Sequence, residues 1–339
     1  MAQENKKPKK RRNGRLVLCF DGKGNKFCAD ESDTNVVKIY ESLDRKDGNQ
    51  YHYYQPGIGT FTTGSSGATF GFFDRMKQRF ETILDQAIGT SFEYHVSKGH
   101  EFLMRYYKPG DYIYIFGFSE AVGEFETPFM RKSYRYIGKR AAEHIRHAVS
   151  IHEQRLKFKP NLFLYNTDDP IDLKELWFAG NHCDVGGGMK YDSNTQNHLR
   201  SDTPLAWMID EIIALDDDPE AKLTGHETLM KAKIPTECHE ETVNGRLPHD
   251  FLAYGRGAAW YTTAAWWFLE VLSLLTRLEL EHGKWVPLYW PPNFGASRNL
   301  PEYAVVHPSV QSMYRARILT EIPQLERCSS LSPRQDQQS

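Results

Sequence analysis

Cysteine is scarce in this sequence: Cys19, Cys28, Cys183, Cys238 and Cys328 are the only five in 339 residues. An odd number at irregular spacing matches neither a disulfide framework nor a zinc site, so reduced thiols inside a cell are expected. The start of the chain also lacks the apolar stretch of a secretory signal. Long uncharged runs are nearly absent. The exception is Gly257 to Thr276, which includes Trp260, Trp266 and Trp267 and carries Glu270 as its only charge. That is about the length needed to cross a bilayer. A carboxylate near its middle costs roughly 2.5–3.5 kcal/mol on insertion, and Thr262, Thr263 and Ser273 dilute the run further. A helix packed inside a domain is therefore the expectation, with insertion at a lipid interface or a true span as alternatives.

A large net charge is missing as well, the formal value being -2. That figure hides an asymmetry. Lys6, Lys7, Lys9, Lys10, Arg11, Arg12 and Arg15 stand near the N-terminus against Glu4 alone, which leaves the rest of the chain acidic. An acidic body argues against a nucleic-acid surface, so no nucleic-acid partner is expected. Residues 1–14 read as a disordered basic arm, a solvated tail on a cytoplasmic protein. A nuclear-import or anionic-surface tag is the alternative.

Hydrophobic residues at 40% and charged residues at 25% suit a globular α/β domain, placed at 15–325, before a disordered tail at 326–339. Apolar runs at 15–20, 50–55 and 111–116 each end in turn residues and read as buried strands. Asp33-Thr34-Asn35 can cap a short helix carrying Val36, Val37, Ile39, Tyr40 and Leu43. After a Gly/Ser/Thr loop at 59–71, a helical pattern runs from Phe80 through Ile88, Phe92 and Phe102 to Tyr106, where Pro109-Gly110 stops it. Ala141–Phe158 reads as a helix, Leu173–Gly180 as a fourth strand, and Pro204–Leu215 and Ala258–His282 as further helices. Strands alternating with helices predict a mostly parallel sheet with helices on both faces and a helical C-terminal part.

In such a sheet functional groups collect beyond the carboxyl ends of the strands. Three polar clusters sit there: Asp21–Asn25, Ser119, and His182 to Asp184. Gly117-Phe-Ser-Glu-Ala121 approximates a nucleophile elbow, in which small residues two places either side of the serine allow a sharp strand-to-helix turn. A serine that merely ends a strand is the plainer reading. His182, ahead of three glycines that allow close backbone approach, reads as a base. A structural histidine, or a metal ligand together with Asp184, is the alternative. His144 and His147 share a face of the expected helix but lack the order of a zinc motif, and His226, Cys238 and His239 lack ligand spacing. No metal or cofactor is expected.

Six motifs in order resemble one family. They are Arg15-Leu-Val-Leu-Cys-Phe-Asp-Gly-Lys-Gly-Asn25, Tyr53-Tyr-Gln-Pro-Gly-Ile-Gly-Thr60, Gly110-Asp-Tyr-Ile-Tyr-Ile-Phe-Gly-Phe-Ser119, Arg146-His-Ala-Val149, Trp177-Phe-Ala-Gly-Asn-His-Cys-Asp-Val-Gly-Gly-Gly188 and His307-Pro-Ser-Val310. Over about residues 14–315 the chain resembles the Tle1-like phospholipase family (DUF2235), and its later motifs resemble the fungal members. The resemblance implies an α/β-hydrolase fold and a lipid or other ester substrate. It makes Ser119 the nucleophile and His182 the base, and it puts Asp21, Gly22 and Asn25 near the oxyanion site. Lys23 and Cys183 stand where the family usually has threonine and serine. A larger departure follows Ser119. The family continues with Arg-Gly-Ala-Tyr, a helix, and a strand ending in a Trp-Asp pair whose aspartate looks like the triad acid. Here Ser119 runs straight into Glu120, and Val122–Met130 resembles sequence from beyond that pair. Gly123 and Pro128 prevent a useful helix after the serine. Asp184 and Asp21 are the substitutes for the acid. The expected function is that of a serine hydrolase impaired by this shortening. The alternative is a non-catalytic or truncated isoform that binds a ligand or contacts a membrane surface.

Overall fold

The computed structural model describes residues 13–22, 25, 27–30, 32–57, 92–117, 142–158, 172–189, 199–215, 219–225, 247–271, 277–281, 284–288, 290–298, 300–301 and 304–315. The basic arm up to residue 12, the 59–71 loop, the Phe80–Ile88 part of the long helical pattern, His226, Cys238, His239 and the 326–339 tail lie outside the described residues.

Strand β1 (Arg15–Phe20) lies between β2 (Gln50–Gln55) and β3 (Tyr112–Gly117) in a parallel sheet. Its central place explains its composition. Leu16, Val17, Leu18 and Cys19 are buried on both faces, as an uninterrupted apolar run requires. Helix α1 (Asn35–Ser42) makes the β1-to-β2 crossover, and the Thr34 hydroxyl caps it by accepting from the Val37 N–H. Val36 and Leu43 pack on Val17 and Cys19. Helix α2 (Phe92–Tyr106) takes the opposite face: Gly99 lies against Phe20 and Leu18, while Phe102 and Tyr106 meet Tyr53 and Tyr51 of β2. The first sheet therefore has helices on both faces, as expected.

The rest departs from one continuous sheet. Strand β4 (His144–Ser150) pairs in parallel with β5 (Asp172–Phe178), and β5 pairs with the two-residue β8 (Val305–Val306). Residues 144–150 were expected to be helical. The pairing with β5 decides otherwise: Arg146 reaches Asp172, and His144 and His147 accept partners in Asp172 and Glu175 of the neighbouring strand. Local propensity is a weak prior beside such cross-strand pairing. The expected fourth strand is present as β5.

Helix α3 (His182–Gly186) follows β5, and α4 (Asp202–Ala214) ties the two sheets together. Leu205 and Ile209 of α4 pack with Ile39 of α1 and Phe116 of β3, and Glu211 pairs with Arg146 on the second sheet. The expected Ala258–His282 helix is shorter, as α5 (Trp260–Val271). Arg277–Glu281 (β6) instead forms an antiparallel hairpin with Lys284–Leu288 (β7). Helix α6 (Pro308–Arg315) closes the described chain, its Val310 and Met313 packing with Trp177 and Val149.

Among the described residues no helix is long and apolar enough to cross a membrane. Glu270, the charge in the Trp-rich run, is buried and accepts from the N–H of Leu156 at 2.6 Å and from Asn293 Nδ2 at 2.5 Å. A buried carboxylate supplied with donors is the signature of a packed helix.

Candidate functional site

The turn after β5 is built by its own side chains. Asn181 caps α3, its Oδ1 accepting the N–H groups of Cys183 at 2.9 Å and Asp184 at 3.0 Å, while Asp184 Oδ2 accepts the Asn181 N–H at 3.0 Å. This reciprocal box fixes His182 as the first residue of a short helix at the strand's carboxyl end. The expected close approach of the glycines is found at Gly187. It has a φ of 86° and forms a bridge with Thr34, and a Cβ there would sit 3.0 Å from the Thr34 Cα.

His182 and Asp184 do not serve each other. His182 Nδ1 lies against the Glu153 carboxylate, with Arg155 Nη2 3.0 Å from the same nitrogen. Its ring stacks on Phe158, with centroids 4.8 Å apart, and more loosely on Phe251 at 5.9 Å. Cys183 Sγ is 3.1 Å from Nε2. Glu153 also binds Arg155 Nε at 2.9 Å, and the Arg155 guanidinium lies over the rings of Phe158, Phe251 and Trp266. Burial opposes the charge on Glu153, but Arg155 and His182 outweigh it and hold the carboxyl well below its usual range.

Asp184 turns to a different histidine. Its Oδ1 meets His249 Nδ1 at 2.6 Å, and its Oδ2 accepts the His249 backbone N–H at 3.0 Å. His152, half-buried, accepts the Gly180 N–H on Nδ1, and desolvation lowers it to about 4.

The loop after β1 reaches the same rim. Asp21 accepts from the Gly22 N–H, the Thr34 hydroxyl and the Tyr54 hydroxyl, each at 2.8 Å. Burial raises its carboxyl against these three donors. The Asn25 carbonyl accepts the Gly57 N–H, and its side-chain oxygen lies 3.2 Å from where a Gly188 Cβ would be. Asp21, Gly22, Asn25, Thr34 and Gly187–Gly188 are thus brought together. Ser119 lies outside the described residues, two places beyond the end of β3.

Sequence reasoning missed Glu153, Arg155 and His249. Glu153 and Arg155 fall in the span taken for a helix. His249 sits in an irregular segment, with no local signal beyond its neighbours Pro248 and Asp250. Among the described residues no cluster of His, Cys, Asp and Glu could hold a metal ion.

The "T6SS, Phospholipase effector Tle1-like, catalytic domain" family matches residues 14–122 and 120–211, together more than half of the chain. The match divides at 120–122, directly after Ser119. An uncharacterized protein of Saccharomyces cerevisiae is 37% identical over 106 residues, covering 31% of this chain. The match spans only 15% of that relative's length. No solved structure matches.

Proposed function

The chain belongs to the Tle1-like phospholipase effector catalytic-domain family, and on that footing we propose a serine hydrolase acting on a lipid or other ester and impaired by its shortening. Ser119 is the nucleophile and His182 its base, with Glu153 rather than Asp184 or Asp21 holding the imidazole. The observation that carries this reading is the buried Glu153 carboxylate against His182 Nδ1, just beyond the carboxyl end of β5. A carboxylate on Nδ1 favours the tautomer with its proton there and stabilises the imidazolium, and here it does so against the Arg155 guanidinium 3.0 Å from the same nitrogen, with Cys183 Sγ 3.1 Å from Nε2. In a well-studied serine protease the loss of such an acid costs on the order of 10⁴ in rate, so Glu153 decides whether any turnover survives.

Two observations support the impairment. The family match divides at 120–122. Among the described residues β3 and β4 are outer strands, and Ile113 and Ile115 on one face of β3 are 45% and 64% exposed. Apolar residues left open on the strand that leads to the nucleophile fit the loss of a helix and a strand beside it. The same loss removes the N–H donors and helix dipole that would stabilise an oxyanion.

A fluorophosphonate probe tests the reading. Weak labelling is expected, lost in Ser119→Ala and reduced in Glu153→Gln. Equal labelling with and without the Ser119 hydroxyl removes that serine as nucleophile.

A non-catalytic role at a lipid surface is favoured by a separate observation. Trp260, Phe268 and Val271 form an exposed stripe on α5, 69%, 55% and 49% accessible. Tryptophan at such a position suits the membrane–water boundary. Co-sedimentation with phosphatidylglycerol vesicles, weakened in Trp260→Ser/Phe268→Ser, is the expected result. A protein that stays in solution with every vesicle composition ends this reading.

A further inference from the structure

Asp184 and His249 form a second oriented carboxylate–imidazole pair, and we propose that it is a water-activating dyad for small esters, acting apart from Ser119. Asp184 is buried, with a side-chain exposure of 1%, and it grips His249 at two points, the ring Nδ1 and the backbone N–H. The Asn181 N–H holds the same carboxylate from the other side. Three contacts leave the carboxylate one orientation and keep the His249 proton on Nδ1. Nε2 is then the basic nitrogen, and among the described residues it has no hydrogen-bond partner.

The two histidines differ in access. His182 has a side-chain exposure of 13%, lies between Phe158 and Phe251, and has Cys183 Sγ beside Nε2. His249 is 36% exposed. Gly257, at a φ of 123°, closes the 248–257 strap over the edge of its ring; a Cβ there would lie 3.1 Å from His249 Cδ2. Leu247 and Tyr254, two residues before and five after His249, are 59% and 63% exposed, apolar surface near it in the chain.

In the proposed step a water molecule on Nε2 gives it a proton as the water oxygen bonds to the ester carbonyl carbon. The tetrahedral adduct collapses with cleavage of the carbon–alkoxy bond, and the proton on Nε2 passes to the departing alcohol oxygen. The substrate class rests on the ester-hydrolase reading above; the dyad does not need Ser119.

The test measures p-nitrophenyl acetate hydrolysis in a Ser119→Ala background. Adding His249→Ala should lower the rate by about 100-fold, and added imidazole should restore it. Diethyl pyrocarbonate on the Ser119→Ala protein, with modified histidines mapped by peptide mass, should abolish activity in step with His249 rather than with the more exposed His144, which covers the case of a poorly folded variant. Full activity after carbethoxylation of His249, or a loss that follows His182→Ala instead, overturns the proposal. Fluorophosphonate labelling at Ser119 reports on the serine mechanism alone, so either reading can fail without the other.

Discussion

Replacing Glu153 with glutamine keeps the shape of the side chain and removes its charge. The cost follows from what Glu153 faces. Glu153 and Arg155 are 3% and 4% exposed, and their ion pair is 2.9 Å long. Removing one partner of such a buried pair typically costs about 3–5 kcal/mol, because the other charge is left without compensation. Arg155 keeps part of its stabilisation here, since its guanidinium carbon lies 3.8 Å from the Phe158 ring centroid and 4.6 Å from that of Trp266. A desolvated cation over aromatic rings retains roughly 2 kcal/mol. The glutamine carbonyl can also accept one of the former bonds. The net expectation is a loss of about 2–3 kcal/mol at pH 7, a sizeable share of the stability of any domain. Urea unfolding followed by tryptophan fluorescence, to which Trp266 in this cluster contributes, measures it. The pH dependence is a second signature. The folded carboxyl is depressed, so its contribution is complete above its ordinary value of 4.5 and is lost as the pH falls through the lower folded value. Wild type and variant should therefore keep a gap down to pH 5, one that widens as His182 gains a proton beside the carboxylate, and converge in acid. A gap under about 0.5 kcal/mol at pH 7, the range of an ordinary surface substitution, or one that persists unchanged into acid, would refute the buried-pair argument.

Glu270 should behave in the opposite sense. Burial raises its carboxyl above the ordinary 4.5 despite the Asn293 and Leu156 donors. Its favourable contribution is present below that value and is lost as the pH rises through the raised folded value. Glu270→Gln should therefore gain on wild type with rising pH, by on the order of 1 kcal/mol, whereas Glu270→Leu strips the acceptor and should lose about 3 kcal/mol; thermal melts at pH 4 and pH 8 distinguish these outcomes. Gly187→Ala places a Cβ 3.0 Å from Thr34 Cα at a φ of 86° and should destabilise by about 2 kcal/mol in urea titration; a neutral effect would mean that the α1–α3 approach is loose. Burial and the neighbouring Asp21 push the Cys19 thiol up to about 12. Peptide mapping after N-ethylmaleimide treatment at pH 7.5 should show Cys28 and Cys183 modified and Cys19 spared until the chain is unfolded.

Local chemistry made several elements legible. The apolar run at β1, the aromatic run at β2, the Thr34 cap of α1 and the Asn181–Asp184 turn are settled by residues within a few places of one another. Hydrophobic period and capping therefore report them directly. The resemblance carried by the six motifs adds the family, and the run from Ser119 into Glu120 marks the break at which the family match divides. Other features depend on what lies opposite. Residues 144–150 carry no decisive local preference and become a strand because β5 offers partners to Arg146, His144 and His147. The Trp-rich run is a packed helix because Asn293 and Leu156 supply donors to Glu270 from 23 and 114 positions away. The choice of histidine partners is of the same kind. His182 and Asp184 are neighbours in sequence, yet a helical turn points them apart, toward Glu153 29 positions back and His249 65 positions on. Spacing along a chain fixes which side chains share a face; which carboxylate meets which imidazole is decided only when distant segments pack, because burial makes each unpaired charge too costly to leave alone.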